Sequence, residues 1–169
     1  MSRPSKDQYF LEMARLAATR GTCVRRQVGC VLVNRLGQVL ATGYNGVARG
    51  LPHCNEEAPH TIPGLDGAPI NVTKLSNKPH LPHACPGSGA ASGTQLDTCQ
   101  AVHAEQNALL QCGDVYRVEA AYVTHSPCLV CTKLLLNTSC RRIVFRQRYP
   151  HPGAERLWVE AGRQWWRLE

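Results

Sequence analysis

Near the start of the chain, Phe10, Met13, Ala14 and Ala17 follow one another at three- and four-residue steps, the interval at which side chains share one helix face. Ser5-Lys6-Asp7-Gln8 ahead of them reads as a capping box, and Gly21 behind them as the stop. Residues 28–33 then form an almost unbroken apolar run, Leu36-Gly37 makes a turn, and 39–42 resume the run, which predicts a β-hairpin. Regular patterning returns late in the chain. A helix is expected over 101–111, closed by Gly113, then a buried strand over 118–124. A second helix over 127–137 begins with proline and is followed by a buried strand over 142–146, a helix over 153–161 and a short strand over 164–168. Helices alternating with apolar strands predict an α/β fold: a three-layer α/β/α sandwich around a mixed five-stranded sheet, led by the antiparallel hairpin.

The stretch between these regular parts is different. Residues 50–93 hold seven of the eleven prolines, six of the fourteen glycines and four of the seven histidines. Such a composition defeats helix and strand, and an irregular loop of this length in a small domain needs something to pin it. At 169 residues, 43% apolar and 18% charged, the chain suits one domain over 1–169 with an irregular insertion at about 47–100, and excludes a disordered or fibrous protein. No apolar run reaches the roughly 18 residues of a membrane span, and the N-terminus lacks the apolar stretch of a secretory signal. Nine cysteines without such a signal point to reduced thiols in a cytoplasmic protein, as metal ligands or core residues. The net charge of +7 is carried mainly by arginine, 15 of the 19 basic residues. That suits either a phosphate-bearing ligand or a solvated basic surface. No basic run exceeds two residues, so a nucleic-acid stripe is not expected.

Two fragments carry chemistry. His103-Ala104-Glu105 opens one predicted helix, and Pro127-Cys128-Leu129-Val130-Cys131 opens another. Each is weak alone; in this order they match the zinc nucleobase deaminase signature, H-x-E followed by P-C-x-x-C. Cys128 and Cys131, three apart in an opening helical turn, can put both sulfurs on one ion, with His103 as third ligand from the facing helix. His103 and Glu105 converge only if the metal lies beyond the helix N-terminus. Two helix N-termini then face one centre, where their partial positive charge favours thiolates. Three protein ligands leave a fourth position open, the mark of a catalytic zinc that activates water, with Glu105 as proton carrier. The competing interpretations are a closed structural zinc beside a surface carboxylate, and a Cys-x-x-Cys redox pair, which explains neither His103 nor Glu105.

The segments Thr42-Gly43-Tyr44-Asn45-Gly46, Val102-His103-Ala104-Glu105-Gln106-Asn107-Ala108 and Tyr122-Val123-Thr124-His125-Ser126-Pro127-Cys128 resemble those of deoxycytidylate (dCMP) deaminases. The resemblance runs from about Tyr9 to Ala161, interrupted by the long loop. It implies the cytidine-deaminase fold and hydrolysis of dCMP to dUMP and ammonia, feeding thymidylate synthesis. By it, His103, Cys128 and Cys131 hold zinc and Glu105 shuttles protons. The Ala104 amide and Ser126 carbonyl address the pyrimidine edge, and Asn45 reaches the deoxyribose. It further implies an allosteric site near Gly43, Tyr44, Asn45 and Gly46, activated by dCTP with Mg2+ and inhibited by dTTP, in a homo-oligomer, usually a hexamer. From sequence alone, Asn45-Gly46 is equally a tight turn. Rival functions are a polynucleotide deaminase acting on a flipped base, and a non-catalytic zinc-organised nucleic-acid-binding module.

Candidates for the 5′-phosphate are Arg25, Arg26 and His125, with Arg148 and Tyr149 as a second set; any one such arginine is more often a solvated surface residue. Cys30, Cys112 and Cys140 fall in apolar patterns and read as core thiols. Subtraction leaves Cys23, Cys54, Cys85 and Cys99 for a second, structural zinc that would pin the loop, with His53 or His83 as stand-ins. Some members of the resembling family carry a second zinc with ligands near Cys23 and Cys54. Trp158, Trp165 and Trp166 suit packing of the last helix and strand better than a base-stacking platform.

Overall fold

In the computed structural model, which describes residues 3–54, 56, 61–71, 85–87, 89–91, 94 and 98–169, the Ser5 side chain accepts from Gln8 N and the Gln8 side chain accepts from Ser5 N. This capping box opens helix α1 (Lys6–Ala18). The hairpin follows as β1 (Gly29–Val33) and β2 (Val39–Tyr44), turning at Gly37, whose φ of 77° suits glycine. Next come β3 (Gly46–Val47), the two-strand ribbon β4 (Thr61–Pro63) and β5 (Pro69–Asn71), and β6 (Ala101–Val102). Helix α2 (Ala104–Gln111) and a 3₁₀ turn (Val115–Arg117) lead into β7 (Ala120–His125), α3 (Leu129–Leu136), β8 (Arg142–Gln147), α4 (Pro152–Glu160) and β9 (Gln164–Arg167).

The main sheet has the order β2-β1-β7-β8-β9, antiparallel through β2, β1 and β7 and parallel through β7, β8 and β9. It is the mixed five-stranded sheet that the pattern predicts. One register row runs Thr42, Val31, Tyr122, Val144, Trp166 across it. Alternate residues face opposite layers. Val31, Val33, Ala120, Tyr122 and Val144 pack with Phe10, Leu11 and Ala14 of α1, while Cys30, Leu32, Ala121, Val123, Ile143 and Phe145 pack with Ala104, Ala108, Leu135 and Trp158 of α2, α3 and α4. β1 is therefore buried along its whole length, as a strand covered on both faces must be. A polar tie crosses the α1 layer: Tyr122 Oη and Arg142 Nη2 donate to the Asp7 carboxylate at 2.7 and 2.9 Å.

The helices come close to the sheet at two glycines. A Cβ on Gly29 would overlap the Ala14 carbonyl of α1, and one on Gly43 would overlap the Ala104 carbonyl and Ala108 amide of α2. Sequence periodicity placed the start of the second helix at 101; instead Ala101 and Val102 pair with Val47 and Gly46, and His103 is the extended N-cap residue. That two-residue ladder pairs the chain just before residue 48 with the chain just after residue 100. Trp158 is fully buried and Trp165 meets Phe145 edge-on at 5.4 Å, but Trp166 stays 56% exposed, so packing accounts for two of the three rings. Cys30 and Cys140 are core thiols, whereas Cys112 is only half-buried at the end of α2. Among the described residues no helix is long and apolar enough to cross a membrane.

Candidate active site

The parallel strands β7 and β8 both end at one edge of the sheet, where the chain turns into α3 and towards α4. Ligands of open α/β sheets bind outside such carboxyl ends. Here His125 and Ser126 leave β7, and Tyr149 follows β8. They line a pocket with Arg25, Arg26, Val28, Asn45, Ala101, His103, Ala104, Glu105 and Cys128, and with Cys23 and Cys99.

At its floor the openings of α2 and α3 meet. His103 and Cys128 are N-cap residues in extended conformation, so their side chains lie ahead of each helix rather than along its side. Cys131, one turn in, points back to the same spot. His103 Nδ1 lies 3.5 Å from Cys128 Sγ and 3.4 Å from Cys131 Sγ. A tetrahedral zinc with bonds of about 2.05 Å to nitrogen and 2.3 Å to sulfur has N···S edges of roughly 3.5 Å, so the three donors fit the ion. Among the described residues they are the one group of three such donors whose atoms all lie within 4.8 Å of one another. Gln106 holds the cap by accepting from His103 N at 2.8 Å, and Asn107 ties α2 to β2 by donating to Tyr44 O at 2.7 Å.

Electrostatics agree with that assignment. The Cys128 thiol is lowered to about 4, chiefly by its hydrogen bond with Cys131 and further by His103. Cys131 is pushed up by the same pairing and by burial. A divalent ion would let both sulfurs be thiolates. His103 is raised, mainly by its hydrogen bond to Cys128. Glu105 is 4% exposed, and burial raises its carboxyl above the usual range. It forms no ion pair with a basic side chain among the described residues. A buried carboxyl of that kind beside a metal-ligand set is suited to taking and giving protons.

Ala104 is the first residue of α2 and fully buried; Ser126 is buried, its hydroxyl accepting from Tyr149 N at 2.7 Å. Asn45 lines the pocket, yet its amide is also structural: Nδ2 donates to Arg26 O at 2.6 Å and Oδ1 accepts from Val28 N at 2.7 Å. Gly43 and Gly46 are packed from behind, by α2 and by Thr22, while Tyr44 is 36% exposed. Arg26 lies over the Tyr149 ring at 5.5 Å from its centroid. His125 sits beside them, its pKa lowered by burial and by the Arg26 charge. Arg148 departs from expectation: its guanidinium is paired with Glu155 at 2.7 Å and lies outside this pocket. Val28, just ahead of β1, and Ala101, the first residue of β6, also line the pocket and carry no chemical signal in the sequence.

Cys23, Cys54 and Cys85 form a buried cluster with Cys99 beside it, looser than the His103 group. Burial and the neighbouring thiols Cys85 and Cys23 push Cys54 up to about 12. Burial would raise Cys85 too, but hydrogen bonds from the Gln100 and Gly87 amides and from Cys54 and Cys99 bring it below its ordinary value. Of the stand-ins, His53 is exposed and His83 lies outside the described residues.

An α/β/α sandwich with a His-Cys-Cys group and a buried glutamate at two helix openings defines a zinc-dependent deaminase type of centre. Residues 4–147 match the family described as "Cytidine and deoxycytidylate deaminase zinc-binding region", and the chain belongs to that family. It is 39% identical over 147 residues to a protein of Mycobacterium phage D29 named deoxycytidylate deaminase, covering 86% of this chain and 97% of that one. It is also 39% identical over 151 residues to the deoxycytidylate deaminase of Schizosaccharomyces pombe, covering 87% of this chain but 38% of the yeast protein. The fold matches that of a dCMP deaminase from cyanophage S-TIM5, solved with dCMP and dUMP, at a TM-score of 0.66 and 21% identity over 99% of this chain and all of that one.

Proposed function

We propose that this chain hydrolyses dCMP to dUMP and ammonia. The observation that carries the reading is the buried Glu105 carboxyl beside the His103, Cys128 and Cys131 donors on the floor of a pocket that also holds Arg26 and His125. His103 Nδ1 and the sulfurs of Cys128 and Cys131 would hold zinc, which as a Lewis acid makes water acidic enough to be a nucleophile near neutral pH. Glu105 accepts the proton of the attacking water and delivers it to ring N3 as oxygen bonds to C4. It then takes the remaining proton from that oxygen and passes it to the amino group as the C4–N bond breaks, so that C4 becomes a carbonyl and ammonia leaves. The Ala104 amide, at the opening of α2, and the Ser126 carbonyl address the pyrimidine edge. Asn45 takes the deoxyribose. Arg26, His125 and Tyr149 take the 5′-phosphate, supported by their shared place in the pocket and the cation–π stacking of Arg26 on Tyr149.

Ammonia release from dCMP, dCTP, deoxycytidine and a cytosine-containing oligonucleotide tests the reading. dCMP should turn over fastest, and Glu105→Gln should lower kcat by about 10²- to 10⁴-fold, the contribution of a positioned proton carrier, with the zinc retained. Turnover of the oligonucleotide alone would move the substrate to polynucleotides.

The clustering of Cys23, Cys54, Cys85 and Cys99 supports a second, structural zinc that pins the insertion; metal analysis should find two zinc ions per chain, and one would remove this site. All nine cysteines lie among the described residues and are free of disulfides, which fits a cytoplasmic setting. By family resemblance we further infer a homo-oligomer, a hexamer, in which dCTP with Mg2+ lowers the dCMP concentration needed for half-maximal rate and dTTP raises it, through the Gly43–Gly46 loop. A substrate curve unmoved by either nucleotide would exclude that regulation.

A further inference from the structure

Arg25 and Arg26 are neighbours in sequence and both line the pocket, but their side chains keep different company. The Arg26 guanidinium stacks on Tyr149 and has no hydrogen-bond partner among the described residues. Arg25 is held: Nη2 donates to Ala91 O at 2.6 Å and to Thr94 O at 2.9 Å, and Nη1 donates to Gly87 O at 3.4 Å. Both Nη2 hydrogens are thereby used, and the rigid fork spans carbonyls from one irregular segment some 60 to 70 residues away in sequence. That segment borders the pocket wall. A Cβ on Gly87 would lie 2.9 Å from Cys99 Cα, so Gly87 backs directly onto Cys99, and Cys99 and Ala101 line the pocket. Composition alone leaves this part of the insertion without regular structure. A charged fork bonded to its carbonyls gives the backbone a fixed position.

We propose that Arg25 is a positioning residue rather than a phosphate ligand: it straps the insertion, through Gly87, Ala91 and Thr94, to the pocket and so fixes the Cys99–Ala101 wall against which substrate is held. The role rests on the deaminase reading above. It also separates the duties of the Arg25-Arg26 pair, one cation spent on the protein's own carbonyls and one left free for an anion.

Two variants and two substrates test the assignment. In Arg25→Ala and Arg25→Lys, KM should rise about tenfold or more for dCMP and for deoxycytidine by the same factor, because a misplaced wall acts on the nucleoside moiety that both share. The ratio of kcat/KM between the two substrates should stay within about twofold of the unaltered protein, and kcat should change less than KM. Lysine should not rescue, since one ammonium cannot span the same carbonyls in a plane. Hydrogen exchange of peptides covering 85–99 should quicken in both variants while the melting temperature and zinc content hold, which separates a local wall from a general loss of fold.

A selective loss on dCMP of tenfold or more, with lysine restoring it, would make Arg25 a phosphate ligand and overturn the proposal. Unchanged kinetics, or an equal loss without faster exchange at 85–99, would overturn it too. If the unaltered protein deaminates neither substrate, the deaminase reading fails. The exchange measurement then still judges the strap.

Discussion

Replacing Gly43 by alanine tests how the sheet sets the metal centre. The added Cβ would overlap Ala104 O and Ala108 N and stand 3.0 Å from Ala108 Cα, whereas contact becomes ordinary only from 3.4 Å. These are backbone atoms, so no side chain can swing aside, and α2 must recede from β2 by roughly 1 Å in a close-packed interior. Overpacking of this kind costs about 1–3 kcal/mol, and a backbone-on-backbone clash belongs at the upper end. For a domain of this size about 3 kcal/mol lowers Tm by roughly 6–12 °C. The functional effect is separate, because α2 begins at Ala104, flanked by His103 and Glu105. A displacement of about 1 Å in a catalytic group lowers kcat/KM by around a hundredfold. Gly29→Ala is the matched control: it overlaps Ala14 O of α1, which carries none of the site residues. Gly113, with nothing within 4 Å of an added Cβ, is the neutral one. Thermal melts, zinc retention against a graded chelator and steady-state deamination should show both clashing variants destabilised, but only Gly43→Ala losing zinc affinity and the hundredfold in rate beyond its stability loss. If Gly43→Ala keeps kcat/KM and zinc as well as Gly29→Ala does, the close approach at β2 does not set the site.

Other expectations concern the frame. Arg163 donates to Cys140 O at 2.7 Å and Leu136 O at 2.9 Å, with longer bonds to Leu135 O and Thr138 O, and lies over the Trp158 ring. Since it satisfies carbonyls at the end of α3, Arg163→Ala should lower unfolding free energy by about 2–4 kcal/mol in urea titrations, and Arg163→Lys should recover less than half. Burial pushes the Cys140 thiol up to about 12. An unfolded thiol ionises near ~8.5, so the folded state keeps a proton that the unfolded state releases above that pH. The resulting stability is intact below pH ~8.5 and is lost as pH rises towards about 12. The gap between the unaltered protein and Cys140→Ala should therefore change by about 1.4 kcal/mol per pH unit from pH ~9 to ~11; parallel stability curves would refute this.

Helices, strands and metal donors were legible because each leaves a periodic or chemically rare trace. The capping box of α1, the unbroken apolar run that becomes the doubly covered β1, and the Cys128–Cys131 spacing all reach the structure unchanged. The boundary at 101 was misplaced for a physical reason. Ala101 and Val102 are as compatible with a helix as with a strand, and only pairing with Gly46 and Val47 across the insertion decides it. The duties of the arginines were illegible for a related reason. A guanidinium advertises charge and five donors, but not whether its acceptor is a ligand or the chain itself. Arg148 meets Glu155, and Arg25 meets three carbonyls of the insertion. Both partners are fixed by tertiary placement that local sequence does not encode. The pocket consequently has two layers of specification. His103, Glu105, Cys128 and Cys131 are set by local helix openings, and so stand out in any reading of the chain. The wall of Cys23, Cys99 and Ala101 exists only once the insertion is closed by β3 and β6 and drawn in by Arg25. Substitutions in the first layer should therefore abolish chemistry, while those in the second should act first on how firmly a nucleotide is held.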